Sequence, residues 1–235
     1  MALFYDLHIH SALSPCAEND MTPATIAGLC KLNGADVIAL ADHNSALNLP
    51  AAKAACEAYG LQLLPAIEVN TAEEIHVLCY FKTVEQALKM GEILYDHLPI
   101  YGYDEAIWGR QLVMDADDKE TQCVEKLLTG AVDLDIYDIV KLCQSFGGIA
   151  VPAHADKDSY SLLSVLGFQP PDLHFDVIEL AHPEKYEAYC KAGLLQPGME
   201  VIHSSDAHSL SMLQENFMLL CSTNPLHQLL GVQTK

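Results

Sequence analysis

Residues 3–10 read Leu-Phe-Tyr-Asp-Leu-His-Ile-His, and this stretch combines a strand-like apolar pattern with two histidines two positions apart. Alternate side chains of a β-strand point to the same face, so the imidazoles of His8 and His10 share one face. A single His-x-His pair is often structural. Its meaning therefore depends on whether other polar residues of the chain are placed to meet it.

Strand-like and helix-like segments alternate through most of the chain. The strand-like segments are Leu3–His10, Asp36–Ala41, Gln62–Val69, Ile75–Phe81, Gly148–Ala153, Phe175–Leu180 and Glu200–Ser205, with a weaker one at Asn216–Leu220. The helix-like segments are Thr22–Leu32, Leu47–Tyr59, Thr83–Tyr95, Val124–Thr129, Leu134–Phe146, Ser159–Leu166 and Glu184–Lys191. This alternation predicts a parallel sheet, and about seven such units predict a barrel that forms a single domain over residues 1–235.

Residues 98–121 interrupt this pattern with an aromatic, poorly periodic stretch that contains the only tryptophan and the only arginine of the chain, Trp108 and Arg110. Loops of this length are more often functional than filler. We therefore expect an insertion that covers the active site, with Arg110 reaching a substrate phosphate. The alternative for Arg110 is a surface ion pair with Asp104, Glu105 or Asp115.

Polar side chains recur where the strand-like segments end. These residues are His8, His10, His43, Glu68, His154, Asp206 and His208. The carboxyl ends of parallel barrel strands converge on one mouth, so these side chains are expected to meet. His76 instead begins its strand, but the short turn after Glu68 indicates two antiparallel neighbours, which would place His76 beside Glu68.

Taken singly, each of these residues has an ordinary structural explanation, and Glu68 could be a surface carboxylate at a strand end. Their coincidence favours a metal site. Imidazoles and carboxylates without clustered thiolates are ligands for Zn²⁺, Mn²⁺ or Fe²⁺. Because the eight candidate ligands exceed what one ion can use, we expect two or three divalent ions that share a bridging carboxylate.

The remaining histidines have less specific positions. His182 follows the sixth strand-like segment and is a candidate substrate contact. His203 is expected to point to the opposite face of its strand from Asp206. The histidines expected at the surface are His97, His174 and His227.

Composition and charge restrict the class of protein. Hydrophobic residues make up 51% of the 235 residues and charged residues 19%, as in ordinary globular chains. The net charge of −20 argues against a nucleic-acid partner, although bound metal ions can still attract an anionic substrate. No apolar run reaches the ~18 residues of a membrane helix, and the N-terminus lacks the basic and apolar regions of a signal peptide.

The cysteines indicate a reducing compartment. The chain has eight cysteines, and none lies close to another in sequence, so neither a zinc knuckle nor a compact disulfide framework is indicated. We therefore expect a cytoplasmic protein.

Five short motifs, taken in order, resemble those of the PHP (polymerase and histidinol phosphatase) family. They are Asp6-Leu7-His8-Ile9-His10-Ser11, Ala41-Asp42-His43-Asn44, Ile67-Glu68-Val69, Pro152-Ala153-His154-Ala155 and Ser205-Asp206-Ala207-His208. Each motif alone is weak, whereas the ordered set over residues 6–208 is specific. The resemblance implies a distorted (β/α)7 TIM-like barrel, a multinuclear metal site and phosphoester hydrolysis.

The resemblance also implies how the ligands divide among the ions. It implies a first ion on His8, His10, Glu68 and Asp206, a second on Glu68, His76 and His154, and a third on His43 and His208. Many relatives complete the third site with an Asp or His shortly after the His-x-His pair. This chain has Ser14-Pro15-Cys16 there, with Glu18 and Asp20 beyond, so we expect two tight ions and a weaker third.

The sequence thus predicts a metal-dependent phosphoesterase in which a metal-activated water attacks a small soluble phosphate ester. Glu68 and Asp206 are the expected catalytic carboxylates, and Arg110 and His182 the expected substrate contacts. We expect no nucleic-acid partner and no membrane. The alternatives are a nuclease or proofreading-type phosphodiesterase and a non-catalytic, metal-binding regulatory domain.

Overall fold

The structure is a computed structural model that describes residues 2–100, 102–122, 124–213 and 217–230. Its strands are β1 (Leu3–Ile9), β2 (Val37–Leu40), β3 (Gln62–Leu63), β4 (Ala66–Asn70), β5 (His76–Tyr80), β6 (Val113–Met114), β7 (Glu120–Gln122), β8 (Ile149–Pro152), β9 (Val177–Glu179), β10 (Glu200–Ile202) and β11 (Met218–Leu220). Its α-helices are α1 (Pro23–Asn33), α2 (Leu49–Tyr59), α3 (Val84–His97), α4 (Glu105–Trp108), α5 (Ile136–Ser145), α6 (Leu162–Leu166), α7 (Tyr186–Lys191) and α8 (Pro225–Leu229). Short 3₁₀ helices cover Pro183–Lys185 and Leu210–Met212.

The strands form a mixed α/β fold with several sheets. One sheet has the order β11-β1-β2-β3, a second has the order β4-β5-β8, and β9-β10 and β6-β7 form pairs. Strands β1, β2 and β3 run parallel, as do β9 and β10, whereas β5 runs antiparallel to both β4 and β8. No sheet closes into a barrel within the described ranges, so the predicted (β/α)7 barrel is not confirmed beyond its alternating strands and helices.

Isolated backbone contacts join the ends of different sheets. Ile9 forms a bridge with Ala207, and His43 forms one with Glu68. The Ala155 N–H donates to the Glu179 carbonyl oxygen at 2.8 Å. These contacts gather the polar ends of β1, β2, β4, β8, β9 and β10 at one place.

The direction of β5 follows from the connection that precedes it. Residues 71–75 link β4 to β5, and a parallel partner would need a crossover of about a dozen residues. The strands therefore form a hairpin in which Asn70 pairs with His76. This confirms the antiparallel arrangement predicted from the spacing of Glu68 and His76, and it departs from an all-parallel barrel.

Helix boundaries carry the expected signals. The Thr22 side chain caps α1 by accepting from the Thr25 N–H, and Pro23 takes the first turn. α2 ends at Gly60, which adopts a left-handed φ of 69°. None of the helices in the described part of the chain has the length and apolar character needed to cross a bilayer.

The inner strands are buried on both faces. All four residues of β2 are inaccessible to solvent. Its alternate side chains join different apolar clusters, with Val37 and Ala39 in one and Ile38 and Leu40 in the other. Burial on both faces explains the near-continuous apolar runs of these strands and leaves their polar ends as the place for chemistry.

The helix predicted at Val124–Thr129 is wrong. The Gln111 side chain donates to the Lys126 carbonyl oxygen at 2.9 Å and accepts from the Leu128 N–H at 2.7 Å. These bonds use backbone groups that a helix would pair internally. Two other predictions fall partly outside the described residues: the insertion at 98–121 includes residue 101, and the strand at Asn216–Leu220 includes residue 216. The described part of that strand is present as β11.

Candidate metal centre

The Glu68 carboxylate lies at the centre of the histidine cluster and is 1% exposed. Its Oε1 atom lies 3.3 Å from His8 Nε2, 3.0 Å from His76 Nδ1 and 3.2 Å from His154 Nε2. Its Oε2 atom lies 3.3 Å from His10 Nε2 and 3.1 Å from His43 Nδ1. Each oxygen thus faces its own set of imidazoles, which is the arrangement a bridging carboxylate requires.

The two histidines of β1 present their Nε2 atoms to the same space. His8 Nδ1 donates to the Glu179 carboxylate at 3.0 Å, and His10 Nδ1 lies 3.1 Å from Ser14 Oγ. These bonds place the ring proton on Nδ1 and leave a lone pair on Nε2 in the neutral form. The two Nε2 atoms are 3.2 Å apart, so their lone pairs repel unless a proton or a metal ion lies between them.

A buried carboxylate holds the loop that follows β1. Asp42 accepts from the Ser11 N–H at 2.8 Å, from the Ser11 hydroxyl at 2.6 Å and from the Ser14 hydroxyl at 2.7 Å. Because Ser14 donates to Asp42, its oxygen accepts from His10 Nδ1. Asp42 therefore orients the His10 ring through Ser14.

Glu179 is a functional residue that sequence reasoning missed. It ends β9, is 2% exposed, and also accepts from the His154 N–H at 2.8 Å. It therefore fixes both the His8 ring and the backbone that carries His154. The available signal was its position one residue before the end of a strand-like segment, as for Glu68, although Glu68 lies in the middle of β4.

Asp206 closes the cluster on the side of β10. Its Oδ1 atom lies 3.2 Å from His10 Nε2 and 3.4 Å from His8 Nε2. Its Oδ2 atom accepts from the Lys157 ammonium at 2.5 Å. His208 Nδ1 donates to the Asp206 carbonyl oxygen at 2.8 Å, which leaves its Nε2 free as a ligand. Lys157 is the second residue that sequence reasoning missed.

Burial and the neighbouring charged groups set the pKa values in the cluster. Burial lowers the pKa of His10, but hydrogen bonds to Asp206 and Glu68 outweigh it and raise the pKa to about 9. Burial raises the pKa of Glu68, but the neighbouring His76 and His8 hold it well below its ordinary value. Burial lowers the pKa of His208 to about 4. The cluster therefore has ionised carboxylates and retains protons where a cation would otherwise lie.

Three sets of ligand atoms lie within 4.8 Å of one another: His8, His10 and Glu68; His43, Glu68 and His76; and His10, His43 and His208. The donors fit divalent cations, since the buried Nδ1 atoms of His43 and His76 have no hydrogen-bond partner. His43 joins two of the sets, whereas the resemblance assigned it to the third ion alone. Within the described ranges none of the sets includes Cys16, Glu18 or Asp20, the residues that follow the His-x-His pair where many relatives complete the third site.

Two cluster residues adopt left-handed backbone conformations that residues with a side chain rarely take. His154 has a φ of 29° and Asp206 a φ of 51°. Each lies a few residues after the end of its strand, in a sharp turn. The His154 side chain there reaches Glu68, and the Asp206 side chain reaches His8 and His10. Such backbone strain is frequent at functional sites.

The structure does not bring every predicted residue to the cluster. Arg110 is 41% exposed in its side chain and pairs with Glu120 at 2.7 Å and with Glu105 at 3.8 Å, so the surface ion pair is observed. His182 is 54% exposed and lies 3.5 Å from Glu184. His203 Nδ1 donates to the Leu180 carbonyl oxygen at 2.9 Å, as a structural residue would.

No protein-family model and no curated protein matches the chain. Solved structures match its fold. The lesion-specific endonuclease PfuEndoQ from Pyrococcus furiosus has a TM-score of 0.61 and 20% identity, over 89% of this chain and 49% of its own. An endonuclease Q complex with a 27-mer duplex substrate, which has an abasic lesion at the active site, has a TM-score of 0.56 and 19% identity, over 89% of this chain and 50% of its own. The chain spans about half the length of these endonuclease Q chains.

Two further structures match over nearly their whole length. A candidate metal-dependent phosphoesterase from Bifidobacterium adolescentis has a TM-score of 0.57 and 19% identity, over 87% of both chains. An amidohydrolase from Chromobacterium violaceum, with bound sulfate and no metal, has a TM-score of 0.56 and 17% identity, over 96% of this chain and 95% of its own. At such identities the likeness concerns the fold.

The expectation that no nucleic acid is a partner is wrong. It rested on the net charge of −20, yet endonuclease Q has the same fold and is seen with a DNA duplex at its active site. Net charge sums over the whole surface and does not describe the field at the mouth of one site. The fold of this chain is thus shared with a lesion-specific endonuclease and a candidate metal-dependent phosphoesterase, both PHP-type proteins of the kind that its ordered motifs resemble.

Proposed function

We propose that this chain hydrolyses phosphoesters with two or three divalent metal ions held by its histidine and carboxylate cluster. The observation that carries the proposal is the convergence of five imidazoles on the two oxygens of Glu68. Two of them, His8 and His10, face each other with Nε2 atoms only 3.2 Å apart. This donor set is repulsive without a cation and suits Zn²⁺, Mn²⁺ or Fe²⁺.

The predicted ligands are the residues that would hold these ions. They are His8, His10, His43, Glu68, His76, His154, Asp206 and His208. Bound divalent ions supply Lewis acidity, which polarises the phosphoryl group and lowers the pKa of water. Glu68 and Asp206 retain the cations by charge, while Glu179 and Ser14 fix the rings of His8 and His10 so that the ligand geometry is set in advance.

Lys157 is placed to contact the phosphoryl group. Its ammonium lies beside Asp206 and is 43% exposed in its side chain. It also lines a recess of about 150 Å³ together with His76, His154 and His208. If a bound cation compensated Asp206, the Lys157 ammonium would be free to donate to a phosphate oxygen. Lys157 thereby takes the role that the sequence suggested for Arg110.

We propose a small phosphate ester as substrate, because the recess beside Glu68 has room for one phosphoryl group. The test is hydrolysis of 4-nitrophenyl phosphate and bis(4-nitrophenyl) phosphate by purified protein. Chelation should abolish turnover, and Mn²⁺, Zn²⁺ or Fe²⁺ should restore it. Stoichiometric metal binding without hydrolysis of any ester would instead favour a regulatory, non-catalytic domain.

A nuclease is the second candidate, and the likeness in fold to endonuclease Q favours it. The discriminating substrate is a duplex with one abasic site, incubated with the metal-loaded protein beside an undamaged duplex of the same sequence. Metal-dependent cleavage of the damaged strand, at a rate above that for the small esters, would select the nuclease.

A further inference from the structure

A second cavity opens directly beside the metal cluster and differs from it in chemistry. Its volume is about 700 Å³, and it shares His43, His76 and His208 with the cluster. Its other walls include the aromatic side chains of Trp108 and Tyr160. A group attached to a phosphoryl at the cluster would therefore extend into this cavity.

Both aromatic side chains are held in place but remain open to a ligand. Trp108 is 51% exposed and Tyr160 46% exposed, which is unusual for large apolar groups that the core could bury. The Tyr160 ring stacks on the His76 ring with centroids 4.9 Å apart, and the Tyr160 carbonyl accepts from the His76 N–H at 3.0 Å. Tyr160 is therefore fixed relative to a predicted metal ligand.

Trp108 is positioned by a close backbone approach. The next residue, Gly109, has a φ of 89°, and a Cβ atom there would lie 2.2 Å from the Pro15 carbonyl oxygen. Only glycine permits this contact between the 98–121 segment and the loop that carries Ser14. The segment is further tied to the loop by the Leu112 N–H, which donates to the Ala12 carbonyl oxygen at 2.8 Å. The backbone next to Trp108 is thus held against the loop that follows β1, and its side chain lines the cavity.

The charge of this cavity restricts what it accepts. Its lining, as far as the structure describes the chain, contains no lysine or arginine, and it includes the acidic Glu74. A second phosphate would find no cation there. A flat, uncharged ring would instead bury apolar surface against Trp108 and Tyr160.

We propose that this cavity binds the leaving group of the substrate, and that this group carries a planar, uncharged ring. The proposal rests on the proposed function, since it assumes that the phosphoryl group lies at the metal cluster. It makes Trp108 and Tyr160 specificity-determining residues for aromatic phosphoesters over aliphatic ones.

Non-hydrolysable phosphonates test the proposal without the bias of leaving-group reactivity. Phenylphosphonate and methylphosphonate share one head group and differ in the ring. With manganese-loaded protein, calorimetry should show phenylphosphonate binding about tenfold or more tighter. Because Trp108 is the only tryptophan, its fluorescence should change with phenylphosphonate and stay constant with methylphosphonate.

Variants test whether the preference for phenylphosphonate depends on Trp108 and Tyr160. Trp108→Ala and Tyr160→Ala should each remove most of the preference for phenylphosphonate, and Tyr160→Phe should keep it because the ring remains. The matched control is Ile107→Ala, on the same helix α4 and 72% exposed, which does not line the cavity and should leave both affinities unchanged.

The outcomes separate this inference from the proposed function. Equal affinities for the two phosphonates, or an equal loss in Ile107→Ala, would overturn the inference even if the protein hydrolyses phosphate esters. An aromatic preference that depends on Trp108 and Tyr160 would support it even if no ester is turned over. Binding of neither phosphonate to metal-loaded protein would also overturn it.

Discussion

Glu179 touches two of the predicted ligand residues without being one of the eight predicted ligands. It accepts from His8 Nδ1 and from the His154 N–H. Glu179→Gln should therefore weaken metal binding by about 10- to 100-fold, the effect usual for groups that orient ligands. Calorimetric titration with Mn²⁺ or Zn²⁺ measures this. Glu187→Gln, on the exposed face of α7, is the control, and an equal loss in both variants would show that Glu179 does not orient the site.

Asp206 contributes charge directly to the centre. Asp206→Asn keeps the size of the side chain but removes the negative charge beside His8 and His10. The kcat for phosphate-ester hydrolysis should fall by at least about 100-fold, the scale for removal of preorganised charge. Steady-state kinetics at saturating metal measures the loss. Asp176→Asn, an exposed aspartate, should be unchanged, and wild-type kcat in Asp206→Asn would refute the role.

Protons and metal ions compete for the same nitrogen atoms. Hydrogen bonds to Asp206 and Glu68 raise the pKa of His10 to about 9, so the metal-free protein holds a proton there at neutral pH. This ion pair contributes stability below the unfolded pKa near 6.5, and the contribution is lost as pH rises through about 9. Metal binding must displace the proton. Affinity should therefore rise from pH 6 to pH 9, with protons released into weak buffer; a pH-independent affinity would contradict this.

Residues at strand ends were predictable because the spacing of the strands places them together. The other seven candidate ligands lie in one cluster with Glu68 because their strands converge. Lys157 and Tyr160 lie in the irregular turn after β8, where no periodicity indicates direction. Arg110 was attractive as the only guanidinium, but Glu120 and Glu105 neighbour it in the fold and neutralise it.

Among the elements, β8 depends most visibly on a small residue before it. A Cβ atom at Gly148 would lie 2.7 Å from Cys143 Sγ and 2.8 Å from both Phe81 and the Tyr80 carbonyl oxygen. Gly148→Ala should therefore lower the free energy of unfolding by about 1–3 kcal/mol, the cost of overpacking. Urea denaturation measures it.

The matched control for Gly148→Ala is Gly102→Ala. A Cβ atom at Gly102 has no neighbour within 4 Å, and the residue does not have a positive φ. This variant should keep wild-type stability within about 0.5 kcal/mol. If the two variants were equally stable, the tight packing of β8 against α5 would be disproved.

Element boundaries were predicted well where capping or a short connection fixes them. Thr22 and Gly60 mark helix ends in both the sequence and the structure. The segment Gln62–Val69 was predicted as one strand, yet it breaks into β3 and β4 around Pro65, whose missing N–H interrupts a ladder. The two pieces then pair with different strands, β3 with β2 and β4 with β5.

At the scale of the whole molecule, the cluster couples metal binding to stability. Bound cations would offset the charge of the buried carboxylates and the repulsion between the facing imidazole nitrogens. These groups come together only in the native state, so cations would bind that state and stabilise it. At 100 times the dissociation constant, such binding stabilises by about 2.7 kcal/mol per site. Chelation should therefore lower the Tm, and adding Mn²⁺ should restore it in calorimetry. The Tm of Glu68→Gln should respond weakly to metal; an unaltered response would argue that binding occurs elsewhere.

The least predictable property of the fold was whether its strands close into a barrel. Alternating strands and helices indicated the α/β class, but barrel closure depends on register between strands distant in sequence. Here single bridges, Ile9 with Ala207 and His43 with Glu68, join separate sheets. One bridge joins two predicted ligands, and the other joins residues next to predicted ligands, so the sheets meet at the centre.

The left-handed backbone at His154 and Asp206 has an evolutionary consequence. Each conformation costs of order 1 kcal/mol for a residue with a side chain, and glycine would avoid the cost. In a lineage released from selection for catalysis, replacement by glycine at these two positions would thus increase the stability of the fold. Its chemistry would decay before its architecture, and glycine at 154 or 206 within an otherwise intact ring of histidines would mark such a descendant.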